Sequence, residues 1–234
     1  MSDVTITALG LAALKITTPV TSIYADAFIG EHSIEPFDES DARIILVTHD
    51  HGDHFDAGAV ADAAKKSGGI VIGPPSITYP LLVDCHLPAE QLKSLYNRDP
   101  NTPDTVRIGD VSVNSFATRH FNETVQMTIH TSFLVQIGTR KIYIAGDSYE
   151  IPEKTGMLTG LDALVYNYVV FDKDTSKDHE LEQVRKTFRP RHFIIGHLVN
   201  CEWTIHPDDM KTALSKKGLE SIFVLDKTGS HVVL

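Results

Sequence analysis

Short apolar stretches punctuated by glycine and proline open the chain. Residues 4–9, 13–17 and 22–28 are too brief for helices and read as strands, followed by a loop through 30–40. Residues 43–47 form one continuous apolar run rich in β-branched side chains, the pattern of a strand covered on both faces. From Phe55 to Lys66 the sequence is rich in alanine and free of proline, which predicts a helix and puts Asp53 at its start, where the helix dipole favours negative charge. A strand over 69–73, helices over 75–85 and 88–96 and a turn around Pro100 and Pro103 follow. The pattern then changes to a block of strands, 105–108, 111–118, 128–137 and 141–145, with hairpin breaks at Gly109-Asp110 and Gly138-Thr139. The last third alternates: strand 163–170, helix 179–188, strand 192–196, helix 207–217, then strands 221–225 and 231–234. No low-complexity linker divides the chain, so we expect a single domain over residues 1–234. Its class is α/β (α+β), a pair of mixed sheets packed between outer helices.

Composition agrees with a packed core and narrows the partners. The chain has 234 residues, 42% of them hydrophobic, and a formal net charge of −10. That charge opposes the counterion release that drives binding to phosphate backbones and argues against a nucleic-acid partner. The basic patch Arg185, Lys186, Arg189, Arg191 reads as a solvated helix face and its following turn rather than an anion site. Cys85 and Cys201 are the only cysteines, without any CxxC motif, and are expected to be reduced and structural. Residues 1–10 lack the basic start and apolar core of a signal peptide, and no apolar run reaches bilayer length. The expectation is a cytoplasmic protein away from membranes that acts on a small molecule, with homo-oligomerisation left open.

The chemistry is concentrated in the run Thr48, His49, Asp50, His51, Gly52, Asp53, His54, directly after the buried strand. Imidazole and carboxylate suit zinc, manganese or iron, and alternation along an extended segment puts His49 and His51 on one side. Asp53 and His54 start a new direction, so one segment supplies two ligands to one metal and two to a neighbour. Such a site is short of ligands, and three more are expected at strand ends downstream: His120, Asp147 and His197. Asp147 suits a bridge, because a carboxylate can offer one oxygen to each ion. Ser132, Ser148 and His130 can be drawn as a catalytic triad, but strand packing for the serine and a core or surface place for His130 account for them better. Tyr166, Asn167, Tyr168, Asn200, Cys201, Glu202, Trp203 and His206 are candidates for the pocket wall.

The motif HxHxDH, then His120, Gly146-Asp147-Ser148 and Gly196-His197 resemble, in this order and over nearly the whole chain, the metallo-β-lactamase superfamily of metal-dependent hydrolases. The resemblance implies a four-layer αββα sandwich with a dinuclear site at one edge of the two sheets. It further implies His49, His51 and His120 on one metal, Asp53, His54 and His197 on the other, and Asp147 between them. The length and the tail from Arg189 to Leu234 are similar to the subgroup that includes L-ascorbate-6-phosphate lactonase. Many of its members carry a histidine after the amino-terminal glycine, where this chain has Leu11 and Ala12 after Gly10.

The implied cofactors are two divalent ions, zinc first, with manganese or iron as alternatives. Two ions about 3.5 to 4 Å apart share a water whose pKa falls to about 7. The implied reaction is hydrolysis of a small lactone, ester or phosphoester, with Asp147 and Asp53 as the catalytic carboxylates and Asp53 passing a proton to the leaving group. A mononuclear iron dioxygenase of a thiol persulfide, a thioester hydrolase of the glyoxalase II type and a nonenzymatic metal scaffold are the alternatives. The first of these uses fewer ligands. A flavodiiron role is disfavoured, because those proteins usually carry glutamate where His51 stands.

Overall fold

The computed structural model describes residues 3–28, 39–99, 101–120, 128–148, 150, 152, 156–167, 178–198 and 205–234, with the backbone alone for 39 and 178–182. Its strands are β1 (Thr5–Gly10), β2 (Ala13–Thr17), β3 (Ser22–Ala25), β4 (Ala42–Leu46), β5 (Ile70–Gly73), β6 (Leu92–Ser94), β7 (Asp104–Ile108), β8 (Val111–Thr118), β9 (His130–Ile137), β10 (Arg140–Ile144), β11 (Ala163–Asn167), β12 (His192–Gly196), β13 (Phe223–Val224) and β14 (His231–Val233). The helices are α1 (Ala57–Ser67), α2 (Pro75–Val83), α3 (Asp178–Phe188) and α4 (Pro207–Lys216). They form two seven-stranded sheets, ordered β14-β1-β2-β3-β4-β5-β6 and β13-β12-β11-β10-β9-β8-β7.

Alternation along the strands builds the layers. In β4 and the residue after it, Ile44 and Leu46 enter the core between the sheets, where Ile6, Ile16, Phe133, Val135, Ile144 and Ile194 meet them. Ile45 and Val47 face the other way, against Val60 and Ala64 of α1 and Ile77 and Leu81 of α2. The second sheet repeats the scheme: Leu134, Tyr143 and Leu164 turn outward onto Val184 and Phe188 of α3 and Met210 and Leu214 of α4. Two mixed sheets lie between two helical layers, the expected αββα sandwich. Asp56 caps α1 by accepting from the Ala59 backbone N–H at 2.8 Å, and Gly68 closes the helix in the left-handed region.

Strand direction decides where chemistry can gather. β8 and β9 are antiparallel, as are β9 and β10, while β10, β11 and β12 are mutually parallel. The carboxyl ends of β8, β10, β11 and β12 therefore share one edge with the amino end of β9. In the first sheet β3, β4 and β5 are parallel, so their carboxyl ends also lie together.

Several elements depart from the sequence expectation. Residues 88–96 are not a helix: Ala89–Gln91 make a single 3-10 turn, and β6 then pairs with β5 at the sheet edge. The expected strand over 22–28 stops at Ala25, because Asp26 takes φ 49° and turns inward. Helix α1 begins at Ala57 with Asp56 as its cap, so Asp53 lies outside it, in the turn. The two closing strands separate, β13 joining the second sheet and β14 pairing with β1 of the first.

Candidate metal centre

The run after β4 is extended as far as His51, which leaves His49 buried and Asp50 exposed on the opposite side. The backbone N–H groups of His54 and Phe55 then both donate to the His51 carbonyl at 2.9 Å, and this tight turn redirects Asp53 and His54. From the second sheet, His120 follows β8, Asp147 follows β10 and His197 follows β12. All seven expected ligands come together. His49, His51 and His120 form one group, His49, His54 and Asp147 a second, and Asp53, His54 and His197 a third, each with ligand atoms within 4.8 Å of one another.

The two carboxylate oxygens of Asp147 have different neighbours. Oδ1 accepts from Asn167 Nδ2 at 2.9 Å, while Oδ2 faces His54 Nε2 at 3.4 Å, His120 Nε2 at 3.7 Å and His197 Nε2 at 3.9 Å. A single oxygen therefore faces both sides of the cluster.

Asp26, at the end of β3 beside β4, is the site residue that sequence reasoning missed. Its Oδ1 accepts the Thr48 backbone N–H and its Oδ2 the Thr48 hydroxyl, both at 2.8 Å, and Oδ2 also lies 2.9 Å from His54 Nδ1. A carboxylate accepts only, so His54 carries its hydrogen on Nδ1. The Thr48 hydroxyl hydrogen is committed to Asp26, so Thr48 Oγ1 accepts from His49 Nδ1 at 2.9 Å. One carboxylate thus fixes the tautomers of both rings in their neutral form, in which both Nε2 atoms offer lone pairs to the cluster. The available signal was an acidic residue placed among apolar ones, Ala25 to Phe28, in a segment read as strand.

The donor set fits divalent ions. His49 Nε2 is fully buried and has no hydrogen-bond partner among the described residues. His54 Nε2 and His197 Nε2 approach to 3.1 Å, and Asp53 Oδ2 lies 3.2 Å from the latter and 3.7 Å from the former. Lone pairs and carboxylates converging at such distances need positive charge among them. The titration directions say the same. Burial disfavours a charged His54, yet Asp147 and Asp26 outweigh it and hold its pKa well above the ordinary value, so in the absence of metal a proton supplies the charge. Burial raises Asp147, but His54 and His197 hold it well below the carboxylate range. Burial, then the neighbouring His54, push His49 well down, so it stays a neutral ligand. Metal and protons compete for these same atoms. Two site residues hold left-handed backbone, Asp26 at φ 49° and His197 at φ 66°. Such positions cost about 1 to 3 kcal/mol each and persist only where their surroundings over-determine them.

The expected pocket wall is only partly found. Asn167 touches the cluster through Asp147. Tyr166, by alternation, faces the outer layer instead, 6.0 Å from the Phe193 ring. His206 is exposed and caps α4 through the Asp208 backbone N–H. Tyr168, Asn200, Cys201, Glu202 and Trp203 lie outside the described residues. Ser132 and His130 are buried and each bonds the Thr118 hydroxyl, not the other, so they form no triad. Arg185 and Lys186 end α3, and Arg191 pairs with Asp162 at 3.1 Å. Among the described residues no helix is long and apolar enough to cross a membrane.

Residues 19–213 match the family model of the beta-lactamase superfamily domain. No curated protein matches the sequence. Among solved structures, the chain is similar to Igni18, a metallo hydrolase from the archaeon Ignicoccus hospitalis, at 16% identity and a TM-score of 0.69, covering 99% of this chain and 98% of that one. It is similar to the isothiocyanate hydrolase from Delia radicum gut bacteria at 13% identity and a TM-score of 0.73, covering 98% and 99%. It is also similar to CmlA, a diiron β-hydroxylase from Streptomyces venezuelae, at 12% identity and a TM-score of 0.68, covering 99% of this chain and 54% of that one. At these identities the likeness is one of fold.

Proposed function

The chain belongs to the beta-lactamase superfamily, and from that premise we propose that it is a hydrolase dependent on two divalent metal ions, zinc first, that cleaves a small lactone, ester or phosphoester. His49, His51 and His120 would hold one ion and Asp53, His54 and His197 the other, with Asp147 Oδ2 between them. The observation that carries this reading is the convergence of five imidazoles and two carboxylates, with His49 Nε2 buried and unpartnered among the described residues. When bound, the ions lower the pKa of water to about 7 and polarise the substrate oxygen.

The chain's own residues do the rest. Asp26 and Thr48 hold His49 and His54 with their Nε2 atoms aimed into the site. Asn167 fixes the carboxylate of Asp147. Asp53 is the more exposed of the two central carboxylates, and His197 and His54 outweigh burial to keep it ionised. It accepts a proton from the attacking water and passes it to the leaving oxygen.

The test is metal analysis of protein purified without added salts, together with hydrolysis of generic lactone, ester and phosphodiester substrates before and after chelation. Two zinc or manganese ions per chain and hydrolysis that is lost with them and restored by them are expected. A single iron with oxygen uptake on a thiol persulfide would favour the dioxygenase reading, and undiminished hydrolysis after complete metal removal would overturn the proposal.

A further inference from the structure

His130 opens β9 at the same edge as the cluster and is completely buried, yet it belongs to none of the three ligand groups found among the described residues. Both ring nitrogens are engaged. Nε2 accepts the backbone N–H of Asp147 at 3.0 Å, which requires a lone pair there and places the ring hydrogen on Nδ1. Nδ1 therefore donates to Thr118 Oγ1 at 2.8 Å. The Thr118 hydroxyl passes its own hydrogen to Ser132 Oγ at 2.9 Å, and Ser132 donates to the Ala145 carbonyl at 2.7 Å. Every hydrogen in this sequence has one acceptor and the direction is the same throughout. It begins at the amide of Asp147 and ends at the carbonyl of Ala145, so the relay grips both sides of the turn that carries the carboxylate.

Between these two ends Gly146 has φ +60°, and a Cβ there would lie 2.7 Å from His130 Nε2 and 3.0 Å from Thr48 Cγ2. The imidazole packs directly on the turn, in space only glycine leaves open. A neutral ring is the suitable acceptor. A carboxylate would put a second negative charge against Asp147, and an apolar side chain would leave the buried N–H without a partner.

We propose that His130 is a positioning residue for the metal centre: the relay His130, Thr118 and Ser132 clamps the Ala145-Gly146-Asp147 turn and so sets Asp147 Oδ2 between the ligands of the two sheets. This rests on the two-metal reading above. Asn167 orients the carboxylate from its other oxygen, and the relay orients the backbone that carries it.

The experiment measures Zn2+ affinity, by competition with a chromophoric chelator, and thermal unfolding for the wild type, His130→Phe, Thr118→Val and Thr118→Ser. Loss of an outer hydrogen bond to a metal ligand lowers affinity by about 10- to 100-fold, the effect expected for at least one ion in His130→Phe and Thr118→Val. Thr118→Ser keeps the hydroxyl and should bind as the wild type does. A purely structural histidine would lower the melting temperature but leave the affinity of the folded protein unchanged. Folded His130→Phe and Thr118→Val with wild-type affinity for both ions would overturn the proposal, as would Thr118→Ser weakened as much as Thr118→Val. If His130→Phe does not fold, Thr118→Val decides. A wild type that takes up no zinc sinks the two-metal reading and this inference with it, whereas unchanged variants of a zinc-binding wild type sink this inference alone.

Discussion

The two sheets are close to copies in topology and opposites in how they deliver ligands. Each has seven strands, an antiparallel set leading into a parallel one. The first sheet gives His49, His51, Asp53 and His54 from one run after a single strand, backed by the side chains of Asp26 and Thr48. The second gives His120, Asp147 and His197 from three strand ends, and its support for Asp147 comes largely through backbone, the amide held by His130 and the glycine beneath it. A contiguous motif is assembled by a local turn and a few side-chain bonds. A dispersed one depends on the whole sheet being formed.

The largest effect should come from cutting the connection between these regions. Asp147→Ala and His197→Ala should each lose metal and abolish hydrolysis with little change in far-ultraviolet circular dichroism. Full metal stoichiometry in Asp147→Ala would show that the carboxylate between the sheets is misassigned.

The backing of the first sheet should matter next. In Asp26→Asn one polar atom becomes a donor, and if the amide turns its NH2 toward His54 Nδ1, the ring hydrogen moves to Nε2, where the metal should be. Metal affinity should fall by about 10- to 100-fold, read by chelator competition, and histidine 15N shifts should report the changed tautomer. Unchanged shifts would mean that Asp26 does not set the tautomer.

If the proposed ions join both regions, chelation should destabilise the whole protein rather than one loop. A ligand at a hundred times its dissociation constant contributes about 2.7 kcal/mol, and two tightly held ions should exceed that. A wild-type melting temperature unchanged after confirmed metal loss would place the ions at the periphery of the fold.

Acid should act on the chelated protein unevenly. Burial pushes His120 and His130 of the second sheet down to about 4 and about 3, so below the ordinary 6.5 the unfolded chain takes up protons that they refuse. Stability should fall as pH drops from 6.5 toward those values. His54 of the first sheet acts in the opposite sense, since Asp147 and Asp26 outweigh burial and raise its pKa: its contribution is complete below 6.5 and is lost as pH rises through the raised value. A urea midpoint that rises as pH is lowered toward 6.5 would report the His54 contribution, and one that fails to fall on further acidification below 6.5 would overturn the reading of His120 and His130.

The smallest effect is expected at Cys85, half-buried under α1 with Sγ 3.5 Å from the Ala57 carbonyl. Cys85→Ser should leave hydrolysis within a few-fold, and a large loss with metal retained would point to a thiol in the chemistry.

The run from His49 to His54 was legible in sequence because its spacing is read by one strand and one turn, both set within a few residues. The positions of His120, Asp147 and His197 could be expected from the rule that chemistry lies at strand ends. Their meeting could not, since it depends on β8, β10 and β12 all pointing to one edge. The layered fold followed from runs of buried side chains, whereas the helix expected over 88–96 failed because pairing with β5 captured Leu92–Ser94.

Alternating burial and local spacing, which depend on near neighbours, determined the strands, most of the helices and the candidate ligands. Only the tertiary structure decided that Asp26 stands behind two histidines, that one oxygen of Asp147 faces both sheets, and that His130 holds a turn instead of serving a triad. Each of these is a contact between distant segments, set by sheet order and hydrogen-bond direction, and no periodicity along the chain encodes it.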